Sequence, residues 1–345
     1  MTLSLPIQLI GSPPSPYTRK MISILRYRRI PYSLTWGDPG TELTKMGIAK
    51  PKIGFLPTFL LPDEAGALQA VCDSTPIIRR LESEIEGRSV IPTDQALAFI
   101  DYLLEDFADE WCTKYMFHYR WHFDEDADNA GTLLPLNQMV DMGTEQLNHF
   151  KPFITDRQIG RLHVVGSNDV TAPVIDASYR RLLSAMELHL EQQPYLLGNR
   201  PGAADFALYG QFSQLVGFDP TPRAIAHKLS PRTVAWTGLM EDQTGLEPQD
   251  SDWVAIEDSG SGLKAILTEV GRVYPTALLA NAAALQAGEK TWEAQIDGCR
   301  WTQQTFTYQG KCLQWINEQY RALNEQDRVR VDELLAGTGC EALIF

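Results

Sequence analysis

The hydroxyl-bearing residues Ser12, Ser15 and Tyr17 lie between an apolar segment, Ile7-Gln8-Leu9-Ile10, and a run with helical spacing, Met21, Ile24, Leu25 and Arg28. Ser15 is a good N-cap and Pro16 stands where the first helical residue belongs, so a helix is expected to open there. A helix start carries unpaired amides and the positive end of the macrodipole, and a hydroxyl donor beside them favours an anion. An ionised thiol suits such a place, because a free thiol has a pKa of about 8.5 and a helix N-terminus lowers it. Two more pieces follow: Gly54-Phe55-Leu56-Pro57-Thr58-Phe59-Leu60, then Asp73-Ser74-Thr75-Pro76-Ile77-Ile78. Pro57 keeps Leu56 extended, which leaves the Leu56 amide and carbonyl open to pair with another extended chain. A helix start at Ser74 favours a carboxylate, and Asp73 is an acceptor for an ammonium. Each piece has a plainer use as a cap or a strand start. In this order and spacing they describe one site for a small thiol peptide.

The elements that must hold these residues follow from pattern. Residues 5–11 read as a buried strand ending in Gly11, Pro31 stops the first helix, and Tyr32–Trp36 reads as a second strand. Residues 37–53 are rich in Gly, Pro and Lys and read as a loop. Thr58–Leu61 and Leu68–Val71 read as short strands, and a helix capped by Asp73 or Ser74 runs through Leu81. Strand-helix-strand, then two strands and a helix, is the order of a thioredoxin-like domain. Helical spacing begins at Asp94, with Leu97, Ile100, Leu104, Phe107, Ala108, Trp111 and Tyr115 on one face. The acidic stretch Asp124–Gly131 reads as a loop, and helices are expected over Leu136–Phe150 and Ala172–Gln192. Gly202 and Asp205 form a capping box for an apolar helix. An acidic, Ser- and Gly-rich stretch, 248–262, marks a boundary. Beyond it, helices are expected around Leu263–Tyr274 and Ala277–Ala287, a hairpin turns at Asp297-Gly298, and helices over about 310–323 and 325–336 close the chain. The expected domains are 1–88, thioredoxin-like; 94–247, all-helical; and 248–345, a mostly helical extension with a possible hairpin.

Composition excludes several function classes. With 345 residues, 44% of them hydrophobic, the chain has material for two domains and their cores. Its net charge of -14 argues against non-specific binding to nucleic acid or to an anionic membrane, both of which need a cationic face. The five cysteines, Cys72, Cys112, Cys299, Cys312 and Cys340, are scattered and odd in number, which argues against a disulfide framework or a zinc ribbon and for reduced thiols in the cytoplasm. The segment before Pro6 has no basic and apolar stretches, so no signal peptide is expected. No apolar run approaches the roughly 18 residues of a membrane helix.

With these residues in view, the chain resembles a glutathione transferase of the cytosolic superfamily, serine/cysteine-type and bacterial-like, over roughly residues 5–245. Ser15-Pro16-Tyr17-Thr18-Arg19-Lys20 is similar to the motif opening the first helix of many bacterial members, Leu56-Pro57 to the cis-proline of that fold, Asp73-Ser74 to the pair that holds the γ-glutamyl group, and Gly202–Asp205 to the capping box of the helical domain. The resemblance implies a thioredoxin-like α/β N-terminal domain followed by an all-α domain. It implies glutathione as co-substrate, conjugated to a small hydrophobic electrophile, and a homodimer. Ser15 would stabilise the thiolate, with Tyr17 and Ser12 as rival donors. Leu56, Pro57, Asp73 and Ser74 would hold the tripeptide.

The second substrate is expected between the domains, near Trp111, Tyr115, His118, Tyr119 and Trp121, since such sites are apolar and aromatic. His118 and His122 have the i, i+4 spacing of helix-borne metal ligands, but no third ligand has a telling position and no metal is expected. Arg19 and Lys20 read as a solvated helix face. Lys50 and Lys52 are minor candidates for the glycyl carboxylate. No cysteine stands in the first-helix motif, which disfavours disulfide exchange. The long C-terminal extension and the Trp111–Gly131 segment depart from the family pattern, and Cys340 folding back toward the site is a lesser reading than a passive terminus. Two alternatives stay open: a non-catalytic binding or scaffold protein on the same fold, and a glutathione-dependent lyase or isomerase.

Overall fold

The first strand, β1 (Ile7–Gly11), buries Ile7 and Leu9 on one face and Ile10 on the other. In the computed structural model, which describes residues 3–52 and 54–345, this strand becomes a central one. It is joined by β2 (Tyr32–Trp36), β3 (Thr58–Pro62) and β4 (Leu68–Val71) in the order β2-β1-β3-β4, with β1 and β2 parallel and the other pairs antiparallel. Between them run α1 (Pro16–Tyr27) and α2 (Pro39–Met46), and α3 (Ser74–Glu84) follows β4. Met21, Ile24 and Leu25 of α1 and Ile77, Ile78 and Leu81 of α3 pack into one core with Leu9, Phe59 and Leu61 of the sheet. The chain therefore has a thioredoxin-like α/β N-terminal part.

The rest is mostly helical: α4 (Gln95–Glu110), α5 (Cys112–His122), α6 (Asp124–Gln138), α7 (Thr144–Ile159), α8 (Ala172–Leu190), α9 (Ala203–Leu215), α10 (Pro220–Leu229), α11 (Pro231–Met240) and α12 (Ser261–Gln286). An antiparallel pair, β5 (Thr291–Ile296) and β6 (Cys299–Gln304), precedes α13 (Thr307–Ala322) and α14 (Glu325–Leu335). Its turn uses Asp297 at φ 51° and Gly298 at φ 78°, the left-handed pair that a two-residue hairpin requires. The Asp205 carboxylate accepts from the Gly202 and Leu196 amides, and Asp101 accepts from Ala204, which fixes the start of α9. The segment after residue 260 joins the same core: α12 packs on α8, α13 and α14 pack on α4, and Trp301 lies 5.5 Å from Trp111.

Four local readings are corrected. Residues 39–46 are helical, not loop: Asp38 caps Thr41, Pro39 opens the helix, and Gly47 ends it at φ 69°. (Ile53, at the end of that expected loop, lies outside the described residues, as do Met1 and Thr2.) The acidic stretch Asp124–Gly131 opens α6 rather than looping, because Asp124, Glu125 and Asp126 sit at a helix start where the dipole favours them. The helix expected over Leu136–Phe150 is divided: α6 ends at Gln138 and α7 begins after Gly143. The two helices expected around Leu263–Tyr274 and Ala277–Ala287 are one, α12. Pro275 removes its hydrogen bond to the Gly271 carbonyl, and residues 338–340 pack directly on Gly271. No described helix is long and apolar enough to cross a membrane.

Candidate functional site

The end of β1 leads into Ser12-Pro13-Pro14-Ser15, and this turn is held from several sides. Arg19 Nε and Gln214 Nε2 donate to the Pro13 carbonyl, and Arg120 Nη1 donates to the Pro14 carbonyl at 3.1 Å. Arg120 is itself buried and held by the Asp219 carboxylate and Gln214 Oε1. Ser15 is the N-cap of α1: its hydroxyl oxygen accepts from the Thr18 amide at 3.2 Å. A hydroxyl that accepts there still has its own proton to give. The Tyr17 hydroxyl donates to the Asp109 carbonyl at 2.7 Å. Burial, with the nearby Glu110 and Asp109 carboxylates, pushes that phenol well above its ordinary pKa.

These residues open onto a cavity of about 590 Å³ between the sheet domain and the helices. Ser12, Ser15, Tyr17, Leu56, Asp73 and Ser74 all line it. The Leu56–Pro57 bond is cis, and Pro57 is buried behind Leu56 rather than on the cavity wall. Asp73 has φ 91° and does not cap α3 with its side chain; instead its carboxylate accepts from the Tyr308 hydroxyl at 2.8 Å. Burial raises the Asp73 pKa, against the hydrogen bond from Tyr308 and the charge of Lys20. Lys50 and Lys52 are exposed and off the cavity wall.

Lys20 overturns the solvated-face reading. Its side chain is fully buried, and Nζ donates to Glu105 at 2.8 Å, Asp109 at 2.6 Å and Ser74 Oγ at 3.2 Å. Helix α9 causes the burial by pressing on α1: a Cβ at Gly210 would meet the Pro16 carbonyl at 2.5 Å and Lys20 Cβ at 3.2 Å. Lys20 thus ties α1, α3 and α4 together beneath the cavity. Burial alone would raise the Glu105 pKa, but Lys20 and Arg79 hold it at about 2. For Asp109 burial wins, with the charges of Glu105 and Asp73 adding to it against Lys20, and its pKa rises to about 6.

The expected second-substrate residues are largely corrected. Trp111, Tyr115, His118 and Tyr119 point away from the cavity and have no exposed surface. Trp111 and Tyr115 share Ser178 of α8, Tyr119 donates to Asp176 at 2.6 Å, and His118 Nδ1 lies 2.7 Å from Ser167. They form the aromatic core between α5 and α8. Burial takes the His118 pKa down to about 3. Among the described residues no cluster of His, Cys, Asp and Glu could hold a metal. The cavity takes the opposite face of α5: Thr113, Lys114, Met116, Phe117, Arg120 and Trp121, so of the expected aromatics only Trp121 lies on it. A helix exposes a new face every 100° or so, and an aromatic run gives no clue to which face is inward. Helix α7, which buries no residue fully, brings Ile154, Arg157 and Gln158 to the mouth. The C-terminal segment supplies Gln303, Phe306, Tyr308 and Gln309. Cys340 lies elsewhere, donating to the Leu267 carbonyl of α12.

Comparison with known proteins places this geometry. Residues 9–89 match the family model "Glutathione S-transferase, N-terminal domain", and residues 169–240 match "Glutathione S-transferase, C-terminal domain". No curated protein matches the sequence significantly. Similar solved structures include a glutathione S-transferase from Methylobacterium radiotolerans in complex with glutathione sulfonate. It is 19% identical over 70% of this chain and 98% of that one, with a TM-score of 0.36. Poplar glutathione transferase F1 is 17% identical over 70% and 95%, with a TM-score of 0.40, and a glutathione S-transferase from Rhodospirillum rubrum is 16% identical over 76% and 92%, also at 0.40. Two family matches in the family's own chain order carry the assignment: the chain contains the N-terminal and C-terminal domains of the glutathione S-transferases.

Proposed function

We propose that the protein binds glutathione in the cavity and conjugates its sulfur to a small electrophile through a thiolate stabilised by Ser15. The observation that carries this reading is the convergence of Ser15, Leu56, Asp73 and Ser74 on one cavity wall at the start of α1. The Ser15 hydroxyl has a proton to donate, whereas the Tyr17 proton is committed to the Asp109 carbonyl, which favours Ser15 over Tyr17. Leu56, with Pro57 behind it, offers its backbone to the cysteinyl residue; Ser74 at the α3 start receives the γ-glutamyl carboxylate and Asp73 the ammonium. Holding the sulfur beside the electrophile supplies the proximity part of the rate.

Calorimetry with glutathione and turnover of 1-chloro-2,4-dinitrobenzene test the reading together. Ser15→Ala is expected to lower turnover about 10- to 1000-fold with little change in glutathione affinity. Turnover that survives Ser15→Ala and falls with Tyr17→Phe would move the donor to Tyr17. One observation favours a second reading: Asp73 already holds Tyr308, and Ser74 already accepts from Lys20. A cavity whose ligand positions are partly satisfied from within suits a binding or scaffold protein, and binding without turnover decides for it.

The same proposal includes the family's homodimer, a cytoplasmic location, and a division at residues 1–88, 94–247 and 248–345. Light scattering giving twice the chain mass, cell fractionation, and limited proteolysis between those segments are the respective tests.

A further inference from the structure

Lys114 is a second lysine buried at this cavity, at 2% exposure. Its Nζ donates to the Val165 carbonyl at 3.3 Å and to Gln303 Oε1 at 3.1 Å, and it lies 5.6 Å and 5.7 Å from the Trp111 and Trp301 rings. Among the described residues no carboxylate forms an ion pair with it. A buried ammonium served only by neutral oxygens and ring faces is incompletely compensated for its lost hydration. All three members of this cluster, Lys114, Val165 and Gln303, line the cavity. Beside them stand Glu110, at the end of α4, and Gln309, whose amide donates to Glu110 at 3.3 Å.

We infer that the end of the cavity formed by Lys114, Gln303, Glu110 and Gln309 is a subsite for an anionic group, and that the second substrate is an apolar or aromatic electrophile carrying a carboxylate. The identity of this ligand as an electrophile rests on the transferase reading; the anion subsite does not. Lys114 supplies the charge and the apolar wall of Met116, Phe117 and Trp121 takes the ring. Glu110 does not repel the anion: burial, with Asp106 and Asp109 near it, pushes its pKa up to about 8, and a neutral carboxyl donates a hydrogen bond. Gln303 and Gln309 come from the C-terminal segment, so that segment takes part in selecting the substrate.

Calorimetry on the full chain with 3-nitrobenzoate and with 3-nitrobenzamide, each with and without saturating glutathione, tests this. The benzoate is expected to bind at least about tenfold tighter than the amide. Lys114→Met should level the two, and Lys114→Arg should keep the preference. Equal binding of the two probes by the unmodified protein overturns the proposal, whatever the variants do. Displacement of benzoate by glutathione also overturns it, because the ammonium would then serve the tripeptide's own carboxylate. If glutathione gives no heat while the benzoate preference persists, the transferase reading fails and the anion subsite stands.

Discussion

Lys20, beneath the cavity, and Lys114, on its wall, are both buried, yet they stand in opposite electrostatic situations. Lys20 meets two carboxylates from successive turns of α4 and a serine hydroxyl, and its pKa is raised despite burial. Lys114 meets a backbone carbonyl and an amide oxygen, and burial takes its pKa down to about 8 against the pull of Glu110. The first is a closed arrangement in which every charge has its counterpart inside the chain. The second has only neutral partners, and its residue lines the cavity. A buried cation that the fold has already neutralised holds elements together; one left with neutral partners is shaped for something that arrives.

The contrast breaks first at Lys20. Lys20→Met leaves Asp109 buried without its cation and Glu105 with Arg79 alone, and removing one partner of such a pair costs about 3–5 kcal/mol. Urea unfolding measures it; a loss below about 1 kcal/mol would mean the network is worth no more than a surface pair. The same network is expected to fail in acid. The Glu105 pKa is held at about 2 against the usual 4.5, so its contribution is present above 4.5 and is lost as pH falls through about 2.

Glu110 behaves in the opposite sense. Its pKa rises from 4.5 to about 8, so the stability it contributes is complete below 4.5 and is lost as pH climbs through about 8. The melting temperature of the protein is expected to decline across that window, and Glu110→Gln should flatten the decline. An unchanged slope in the variant would show that Glu110 ionises freely in the folded chain. Lys114→Met sharpens the comparison with Lys20→Met: at neutral pH it should change stability by no more than about 1 kcal/mol, because an apolar replacement for an uncompensated buried charge is close to neutral. In the unmodified protein Lys114 titrates at about 8 folded and 10.5 by default, so the unfolded chain holds the proton more tightly and this lysine makes stability rise with pH across that interval.

The half of the cavity carrying Lys20 was the more legible in sequence. Ser15-Pro16, Leu56-Pro57 and Asp73-Ser74 are local signals, each set by the conformation of one or two residues, and the sheet order follows from strands with their own alternation. The burial of Lys20 is not legible locally, because it depends on α9, about 190 residues away in sequence, packing close through Gly210. The other half was mostly hidden. Trp111, Tyr115, His118 and Tyr119 have the chemistry of an acceptor site, but only the partner α8 decides that this face is inward and that Lys114, Phe117 and Trp121 face the cavity. Gln303, Tyr308 and Gln309 carry no signal at all until the hairpin and α13 fold back over α4. For α2 the sequence does carry a signal, in Asp38-Pro39 and Gly47, within a local excess of Gly, Pro and Lys that resembles a loop.

Tyr308 joins the two halves, since it reaches from the C-terminal segment to Asp73 on the glutathione-facing wall. Its hydroxyl occupies Asp73 Oδ2, one of the two carboxylate oxygens proposed to receive an ammonium. A neutral hydrogen bond to a partly buried carboxylate contributes about 1–3 kcal/mol when nothing replaces it, and much less when a ligand ammonium does. If the ammonium and the phenol compete, Tyr308→Phe should tighten glutathione binding by about threefold, measured by calorimetry, with little change in turnover. If the phenol instead orients Asp73, whose φ of 91° is an uncommon one for a non-glycine residue, the same variant should weaken binding. Weakening would make the extension part of the tripeptide site as well as of the acceptor subsite, and the division of labour between the two walls would have to be redrawn around Tyr308.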